Sequence, residues 1–374
     1  FDELDAVVDI VESSYYYRPA EGDETNGFDD SLEQNAIMGM LSGLDDDYTT
    51  YLAPPEAEQF QNQLAGTGVG IGVGFYENQG QATIARVYPK TPAEEQGLLS
   101  GDVVLRIDGQ PVDASNWERF NLTIEGEEGT QVRLTLQRPG QPGSFDVTLD
   151  RRPYDIPSVA YRMIEGTTIA WIQIGIFGTR TTEEFDAALE TMANDGATAL
   201  ILDLRGNGGG WVRSAQEIIG RFLPGDAGPA LYEDLDPGRG GEVEKPILAD
   251  GPEYFDLPTI VLTDGNTASA AEIVAGALRD YDRAMVVGER TFGKGSVQRV
   301  FDFTNGASLR VTIAEWLTPS KGRIQEQGIT PDIQVSVSNP EESQTDTVLQ
   351  TAVQLAQSGR TQPSDLTNVA TPAT

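Results

Sequence analysis

The sequence predicts a multidomain α/β protein made of a helical N-terminal segment, a compact β-rich module and a larger α/β core. At 374 residues the chain has the length of two or three domains. Short strands of alternating apolar residues follow one another before residue 150, and apolar strands alternate with amphipathic helices after it. The expected divisions are residues 1–66, 67–150, 151–338 and 339–374.

The N-terminal segment is expected to be helical because apolar residues recur at helical spacing, as at Leu4, Val7 and Val11. An aspartate cluster, Asp45 to Asp47, follows later in the segment. It lacks the spaced ligands and the glycine of an EF-hand loop, so a solvated turn next to a helix is favoured over a calcium site.

The β-rich module begins with a glycine-rich stretch, Gly66 to Gly74, which runs into a strand rather than opening a helix. This order argues against a dinucleotide-binding loop. The predicted strands are Ala82–Val87, Val103–Ile107, Gln131–Gln137 and Ser144–Leu149, and the predicted helices are Thr91–Gly97 and Ser115–Ile124.

The core from Arg151 repeats a strand and a helix, which predicts parallel β/α units with crossover connections. Its uninterrupted apolar runs are typical of strands buried on both faces. The predicted strands are Thr168–Ile176, Ala199–Leu204, Thr259–Leu262 and Ala284–Val287. The predicted helices are Thr181–Asn194, Val212–Phe222 and Ser269–Tyr281.

Two other segments of the core region are interpreted from composition. Pro224–Pro258 is rich in Gly, Pro and acids and is expected to be a surface insertion or loop. A helix is predicted at Thr345–Gln357, and disorder is predicted from Ser358 onwards.

Composition excludes several classes of function. The net charge of −34 disfavours binding to nucleic acid, and no apolar run is long enough to predict a membrane-spanning helix. No signal-peptide pattern is found at Phe1, and the start without Met indicates a trimmed chain. The chain has no Cys and no His, which excludes thiolate and imidazole chemistry, so a catalytic base must be a carboxylate, Lys, Tyr or an N-terminal amine.

Two strand-to-helix turns of the core carry unusual residues, at the place where parallel α/β sheets bind ligands. In Leu204 to Gly210 the glycines allow close backbone approach, and free N–H groups at the helix start are suited to an oxyanion or a phosphate. A simple flexible turn is the alternative. In Thr263 to Glu272, Ser269 is either an ordinary helix N-cap or a nucleophile whose oxyanion is held by the N–H of Ala270.

Lys294 is the candidate base for Ser269. It is one of only four lysines, lies between two glycines and comes directly after a predicted buried strand. Partial burial lowers the pKa of a lysine, and a neutral amine accepts a proton from a serine hydroxyl. Gln298 lies four residues further on, in position to orient the amine. The alternative is a surface charge in a glycine turn.

At these residues the sequence resembles the carboxyl-terminal processing proteases, which are serine endopeptidases with a Ser-Lys dyad and a PDZ domain. Thr267 to Ile273 matches the family's Ser-Ala-Ser-Ala-Ser-Glu-Ile block, Thr291 to Gln298 its Thr-Phe-Gly-Lys-Gly-x-Val-Gln block, and Leu204 to Gly210 its Leu-Arg-x-Asn-x-Gly-Gly block. The implied roles are Ser269 as nucleophile, Lys294 as base, Gln298 as third member, and Ala270 with Gly209 or Gly210 as oxyanion hole.

The resemblance also implies a fold and a mode of recognition. Residues 67–150 resemble the family's PDZ domain, with Val69, Gly70, Ile71 and Gly72 as the loop that holds a peptide's terminal carboxylate. The core is expected to have the ClpP/crotonase-like α/β fold. The resemblance implies protein or peptide substrates with free C-termini, no metal or organic cofactor, an extracytoplasmic location (periplasmic, cell envelope or lumenal), and a homodimer formed through the N-terminal helices and the terminal helix.

Two other functions remain open at this point. A non-catalytic PDZ scaffold that binds protein tails would keep the loop and lose the dyad, whereas both dyad residues are present here. A crotonase-like acyl enzyme would use the same oxyanion geometry but would not explain the PDZ module.

Overall fold

The computed structural model describes residues 6–7, 10–11, 28–78, 80–112, 120, 124–235, 241–248, 255–336 and 346–366. The predicted α/β fold class is confirmed, and the strands are divided among four sheets. Of the predicted helix at Ser115–Ile124, only Phe120 and Ile124 are described, and both are helical; most of the first predicted helix lies outside the described residues.

The described residues of the N-terminal region form helices and one strand. Helices α1 (Phe28–Leu41) and α2 (Pro54–Ala65) flank strand β1 (Thr50–Leu52), with a short 3-10 turn at Ser42–Leu44. The strand was not predicted. It pairs with a strand near the C-terminal end of the core, so the N-terminal region is attached to the core's second sheet.

The β-rich module has its own hydrophobic core, formed by side chains between Ile71 and Leu149. Its main sheet is antiparallel, and its first long strand lies at the sheet's edge. Its elements are β2 (Thr67–Gly70), β3 (Val73–Asn78), β4 (Gln81–Val87), α3 (Pro92–Glu95), β5 (Val103–Ile107), β6 (Gln110–Pro111), β7 (Gln131–Gln137), β8 (Phe145–Asp150) and β9 (Arg152–Asp155).

The central sheet of the core has six strands, and all but the first are parallel. In spatial order they are β10 (Val159–Met163), β11 (Ile169–Ile174), β12 (Ala199–Asp203), β15 (Thr259–Thr263), β16 (Ala284–Gly288) and β19 (Ile333–Gln334). The strong apolar runs of the sequence therefore form the middle of this sheet, as predicted.

Helices cover both faces of the central sheet, because successive residues of a strand point to opposite sides. Leu200 and Leu202 pack on one face with α4 (Thr181–Asn194), α5 (Val212–Ile219) and α6 (Ala270–Asp280). Ile201 packs on the other face against α7 (Thr347–Gln357).

A second, antiparallel sheet contains strands that the sequence analysis missed. It joins β1 to β13 (Pro229–Asp234), β14 (Glu242–Pro246), β17 (Ser296–Asp302) and β18 (Ser308–Leu317). The expectation that Pro224–Pro258 is a surface loop is therefore wrong in part: β13 and β14 form a hairpin, and Ala230 and Leu231 are fully buried.

The predicted disorder from Ser358 is also wrong for its first residues. Thr361 is buried, its carbonyl accepts a hydrogen bond from the N–H of Met285, and a 3-10 turn covers Pro363–Leu366. Residues 367–374 lie outside the described part.

Candidate active site

Three loops meet at the carboxyl edge of the central sheet, because β12, β15 and β16 are parallel neighbours. The Thr267 hydroxyl donates to the carbonyl of Leu204 at 2.9 Å, and the Ala268 N–H donates to the carbonyl of Asn207 at 2.9 Å. The Phe292 N–H in turn donates to the carbonyl of Thr267 at 2.9 Å. These bonds join the three blocks that the sequence analysis singled out.

Ser269 stands at the N-cap of α6 with a strained backbone, φ 54° and ψ −119°. A positive φ is uncommon outside glycine, and such strain is concentrated at functional sites. The Ser269 side chain makes no capping hydrogen bond to the helix. Its half-buried hydroxyl is therefore not used as an ordinary N-cap, which was the alternative interpretation.

Glu272 connects the serine loop to the lysine loop. Its side chain is fully buried. One carboxylate oxygen accepts from the Thr291 hydroxyl at 2.5 Å and the Gly293 N–H at 2.8 Å, and the other from the N–H groups of Ser269 at 2.8 Å and Lys294 at 2.9 Å. Burial raises the pKa of Glu272, and these hydrogen bonds oppose the rise.

Lys294 is half-buried, with its amine 4.9 Å from the centre of the Tyr48 ring. Burial lowers the pKa of Lys294, and the nearby charge of Arg310 lowers it further, whereas Glu272 and Asp46 act in the opposite direction. The direction is the one a lysine base requires, because it increases the neutral fraction of the amine near neutral pH.

Ser269 and Lys294 line a single cavity of about 390 Å³. The described residues make no direct hydrogen bond between the serine hydroxyl and the lysine amine, and such contacts often tighten only when substrate binds. The other lining residues are Phe60, Gln63, Leu64, Gly175, Ile176, Gly206, Gly208, Gly209, Gly210, Trp211, Val212, Arg213, Ile273, Ser296, Val297, Gln298, Val300, Arg310 and Trp316.

Gln298 lines the cavity from β17 but does not orient the amine in this structure. Its side-chain amide donates to Ser296 Oγ at 2.8 Å and to Thr312 Oγ1 at 3.3 Å. Its assignment as a third catalytic member stays a prediction.

The glycine loop lies against the serine. A Cβ atom on Gly209, where φ is +106°, would stand 2.6 Å from Ser269 Cβ and 3.1 Å from the Ala270 nitrogen. The Gly209 N–H is already used, because it donates to the side-chain oxygen of buried Asn207 at 2.8 Å. Within the described part of the chain, the N–H groups of Gly210 and Ala270 donate no hydrogen bond.

The loop expected to hold a carboxylate precedes the edge strand of the β-rich module. Val69 and Gly70 are in β2, which pairs with β9, whereas Ile71 and Gly72 follow this strand. Among the described residues, the N–H groups of Ile71 and Gly72 donate no hydrogen bond. Among the described strands, β3 pairs only with β4, so its other edge is open to an added strand as far as the described residues show.

Two residues near the Lys294 amine were missed by the sequence analysis: Tyr48, whose ring lies against the amine, and Arg310, which lines the cavity. Tyr48 follows the aspartate cluster that was interpreted as a solvated turn. In the structure, Asp46 stabilises this turn by accepting hydrogen bonds from the Tyr48 N–H and the Thr49 hydroxyl. The ring of Tyr48 covers the amine of Lys294. Arg310 lies on β18, whose alternating Leu309, Val311 and Ile313 gave an unused strand signal.

No group of three acidic, His or Cys side chains among the described residues is close enough to hold a metal ion. In the same part of the chain, no helix has the length and apolar content needed to cross a membrane.

Comparison with known proteins gives two domain matches and several relatives that match most of this chain. Residues 168–335 match Peptidase family S41, and residues 69–149 match the PDZ domain. Carboxy-terminal processing protease CtpA of Bacillus subtilis (strain 168) is 32% identical over 337 residues, which are 90% of this chain and 69% of that protein. CtpB of the same strain is 32% identical over 335 residues, covering 89% and 68%. Among solved structures, the photosystem II D1 C-terminal processing protease is 27% identical with a TM-score of 0.50, covering 88% of this chain and 86% of that chain.

Proposed function

The chain belongs to the carboxy-terminal processing proteases of Peptidase family S41, and we propose that it is a serine endopeptidase in which Ser269 is the nucleophile and Lys294 the general base. The observation that carries the proposal is the single cavity lined by both an uncapped serine and a half-buried lysine, in a chain without histidine. The lowered pKa of Lys294 supports the role of base.

In the proposed reaction, neutral Lys294 takes the proton of the Ser269 hydroxyl while Oγ attacks the carbonyl carbon of the scissile bond. The amine then returns the proton to the leaving nitrogen, and an acyl-enzyme remains. Water, deprotonated by the same amine, attacks the ester carbon. The bond between that carbon and Ser269 Oγ then breaks, the ammonium returns its proton to Oγ, and the new carboxyl group is released. No metal or organic cofactor is required by these steps.

The oxyanion of each tetrahedral intermediate is assigned to the N–H groups of Ala270 and Gly210. Gly209 is the less suitable of the two candidate glycines because its N–H is bonded to Asn207. Its role is instead steric, since only a residue without a side chain fits beside Ser269. Donors fixed before the reaction are effective because they need no reorganisation when charge develops.

Recognition of substrate tails is assigned to the β-rich module. The free N–H groups of Ile71 and Gly72 are suited to a terminal carboxylate, and the open edge of β3 is suited to adding the tail as a strand. The same proposal includes an extracytoplasmic location and a homodimer through the terminal helices; exposed Met38 and Met40 on α1 agree with such an interface.

The test uses purified wild type, Ser269→Ala and Lys294→Ala with an unfolded protein carrying a free C-terminal tail, and the cut sites are identified by mass spectrometry. Both variants are expected to lose cleavage by at least about a thousandfold. Normal cleavage by either variant refutes the dyad. A C-terminal amide on the substrate is expected to weaken cleavage, and no effect of the amide would contradict tail recognition.

A further inference from the structure

Arg310 is a cation in the active-site cavity for which the described residues provide no counter-charge. It lines the same cavity as Ser269 and Lys294. Its Nε is shielded from solvent and has no hydrogen-bond partner, and no carboxylate of the described residues pairs with its guanidinium. The guanidinium lies over the ring of Phe60, with 4.4 Å from its central carbon to the ring centre. This stacking fixes the plane of the group and leaves its edge for a ligand.

Other partly buried arginines of the core have partners among the described residues. Even Arg180, whose Nε also lacks a hydrogen-bond partner, forms an ion pair with Asp155 at 2.9 Å. Arg205 pairs with Asp203 and Asp346, and Arg221 pairs with Asp186. Arg283 donates to backbone carbonyls instead.

The isolation of Arg310 is not explained by a shortage of acids, because the chain contains 59 Asp and Glu residues. A shielded cation without a partner reduces stability, and burial accordingly lowers the pKa of Arg310. A folded protein retains such a group where a ligand completes it, and ionisable groups in clefts whose pKa is shifted are concentrated at functional sites.

We propose that Arg310 is a specificity residue that binds a carboxylate of the substrate inside the active-site cavity. The proposal rests on the peptidase function given above and deepens it by naming an acidic group close to the scissile bond. The planar fork of a guanidinium matches a carboxylate with two parallel hydrogen bonds, which neither a neutral lysine nor an amide reproduces. The carboxylate belongs either to an Asp or Glu side chain near the cut or to the free C-terminus of a short substrate.

Arg310 also influences the base, and the experiment must separate the two effects. Its charge lowers the pKa of Lys294, so its removal is expected to slow every substrate at neutral pH. The ratio of kcat/KM between an acidic peptide and its neutral analogue cancels this common effect. The ratio therefore measures contact between Arg310 and the carboxylate alone.

Cleavage sites are first mapped in unfolded casein, and short peptides copied from these sites are compared with two analogues. One analogue has Asn or Gln in place of each Asp or Glu, and the other has a C-terminal amide. Wild type is expected to prefer the acidic form by about 10- to 100-fold, and Arg310→Gln by less than about twofold. The bound carboxylate is identified by the analogue whose kcat/KM ratio to the acidic peptide differs between wild type and Arg310→Gln.

Arg299→Gln is the matched control. Val300 on β17 is paired with Arg310 on β18, so the two side chains lie on the same face of these strands. Arg299, the neighbour of Val300, therefore carries the same charge on the opposite face, where it is exposed. It is expected to keep the full preference. Arg310→Lys keeps a cation without the fork and is expected to lower the preference at least about threefold, which provides a second measurement if Arg310→Gln does not fold.

The outcomes separate this proposal from the one on which it rests. Casein cleavage that is equal in wild type and Ser269→Ala overturns the peptidase assignment and, with it, the role of Arg310. Cleavage that depends on Ser269 but shows the same acid preference in wild type, Arg310→Gln and Arg310→Lys overturns the role of Arg310 only. Absence of any preference in wild type does the same.

Discussion

Replacement of Gly209 by Ala tests how the glycine loop positions the nucleophile. The added methyl group would stand 2.6 Å from Ser269 Cβ, whereas carbon atoms that are not bonded to each other prefer about 3.5–4.0 Å. Either the loop or the serine must therefore move by roughly 1 Å. Because a misplacement of about 1 Å costs on the order of a hundredfold in rate, kcat is expected to fall by about that factor.

Backbone strain adds a separate cost in stability. At φ +106° an alanine is strained by about 1–3 kcal/mol, which is measurable by urea denaturation. Gly196→Ala is the matched control: Gly196 has φ +74° and nothing within 4 Å of an added Cβ, so it should show strain without loss of activity. A folded Gly209→Ala enzyme with wild-type kcat and KM on a tail-bearing peptide would refute the placement of Ser269 argued here.

The other predictions concern Glu272, Lys294 and Tyr48. Glu272→Gln should lower the free energy of unfolding, measured by urea denaturation, by about 3–6 kcal/mol, because an NH₂ group replaces one oxygen and two of the four hydrogen bonds are lost. Glu183→Gln, at an exposed position, is the control. Equal stability of the two variants would contradict this reasoning. Lys294→Met should be inactive yet no less stable at neutral pH. Because the pKa of Lys294 is lowered in the folded state, wild-type stability should rise with pH between that pKa and the usual 10.5, a rise that Lys294→Met should lack in urea titrations across pH. Tyr48→Ala should expose the Lys294 amine to water, raise its pKa and so move the rise of activity to higher pH. Tyr48→Phe keeps the ring and should keep the wild-type pH–rate profile. Identical pH–rate curves for both variants would contradict a role of the ring.

The active-site cavity contrasts with the rest of this acidic protein. The chain carries a net charge of −34, yet three basic side chains line the cavity: Lys294, Arg310 and Arg213. Arg310 contributes to the lowered pKa of Lys294, because a cation next to an amine disfavours its protonation. Arg310 thus has two effects that the same variant alters, one on the base and one on the substrate.

Much of the fold followed from local sequence pattern. The apolar runs at Ala199–Leu204 and Thr259–Leu262 predicted strands buried on both faces, and the central parallel sheet confirms them. The antiparallel ribbon of β17 and β18 was missed although Leu309, Val311 and Ile313 alternate with polar residues. The hairpin β13–β14 was missed because the surrounding segment is rich in Gly, Pro and acidic residues. That composition is typical of a loop even though the segment contains two short strands.

The sequence by itself determined the chemistry available to this protein. Without His or Cys, the only nitrogen base beside an unusual serine was a lysine, and because parallel neighbouring strands end at one edge, the serine, lysine and glycine blocks had to meet there. The identity of the oxyanion donor and the surroundings of the amine were decided by tertiary structure. The N–H of Gly209 is occupied because the side-chain oxygen of Asn207 turns towards it. The ring of Tyr48 over Lys294 belongs to a turn whose Thr49 hydroxyl accepts a hydrogen bond from the N–H of Thr312, 263 residues further along the chain. Asn207 and Gly209 are only two residues apart, but the side-chain amide of Asn207 is held in place by donating to the carbonyl of Ile174 at 2.8 Å. Both arrangements therefore depend on contacts between distant segments, which no local pattern encodes.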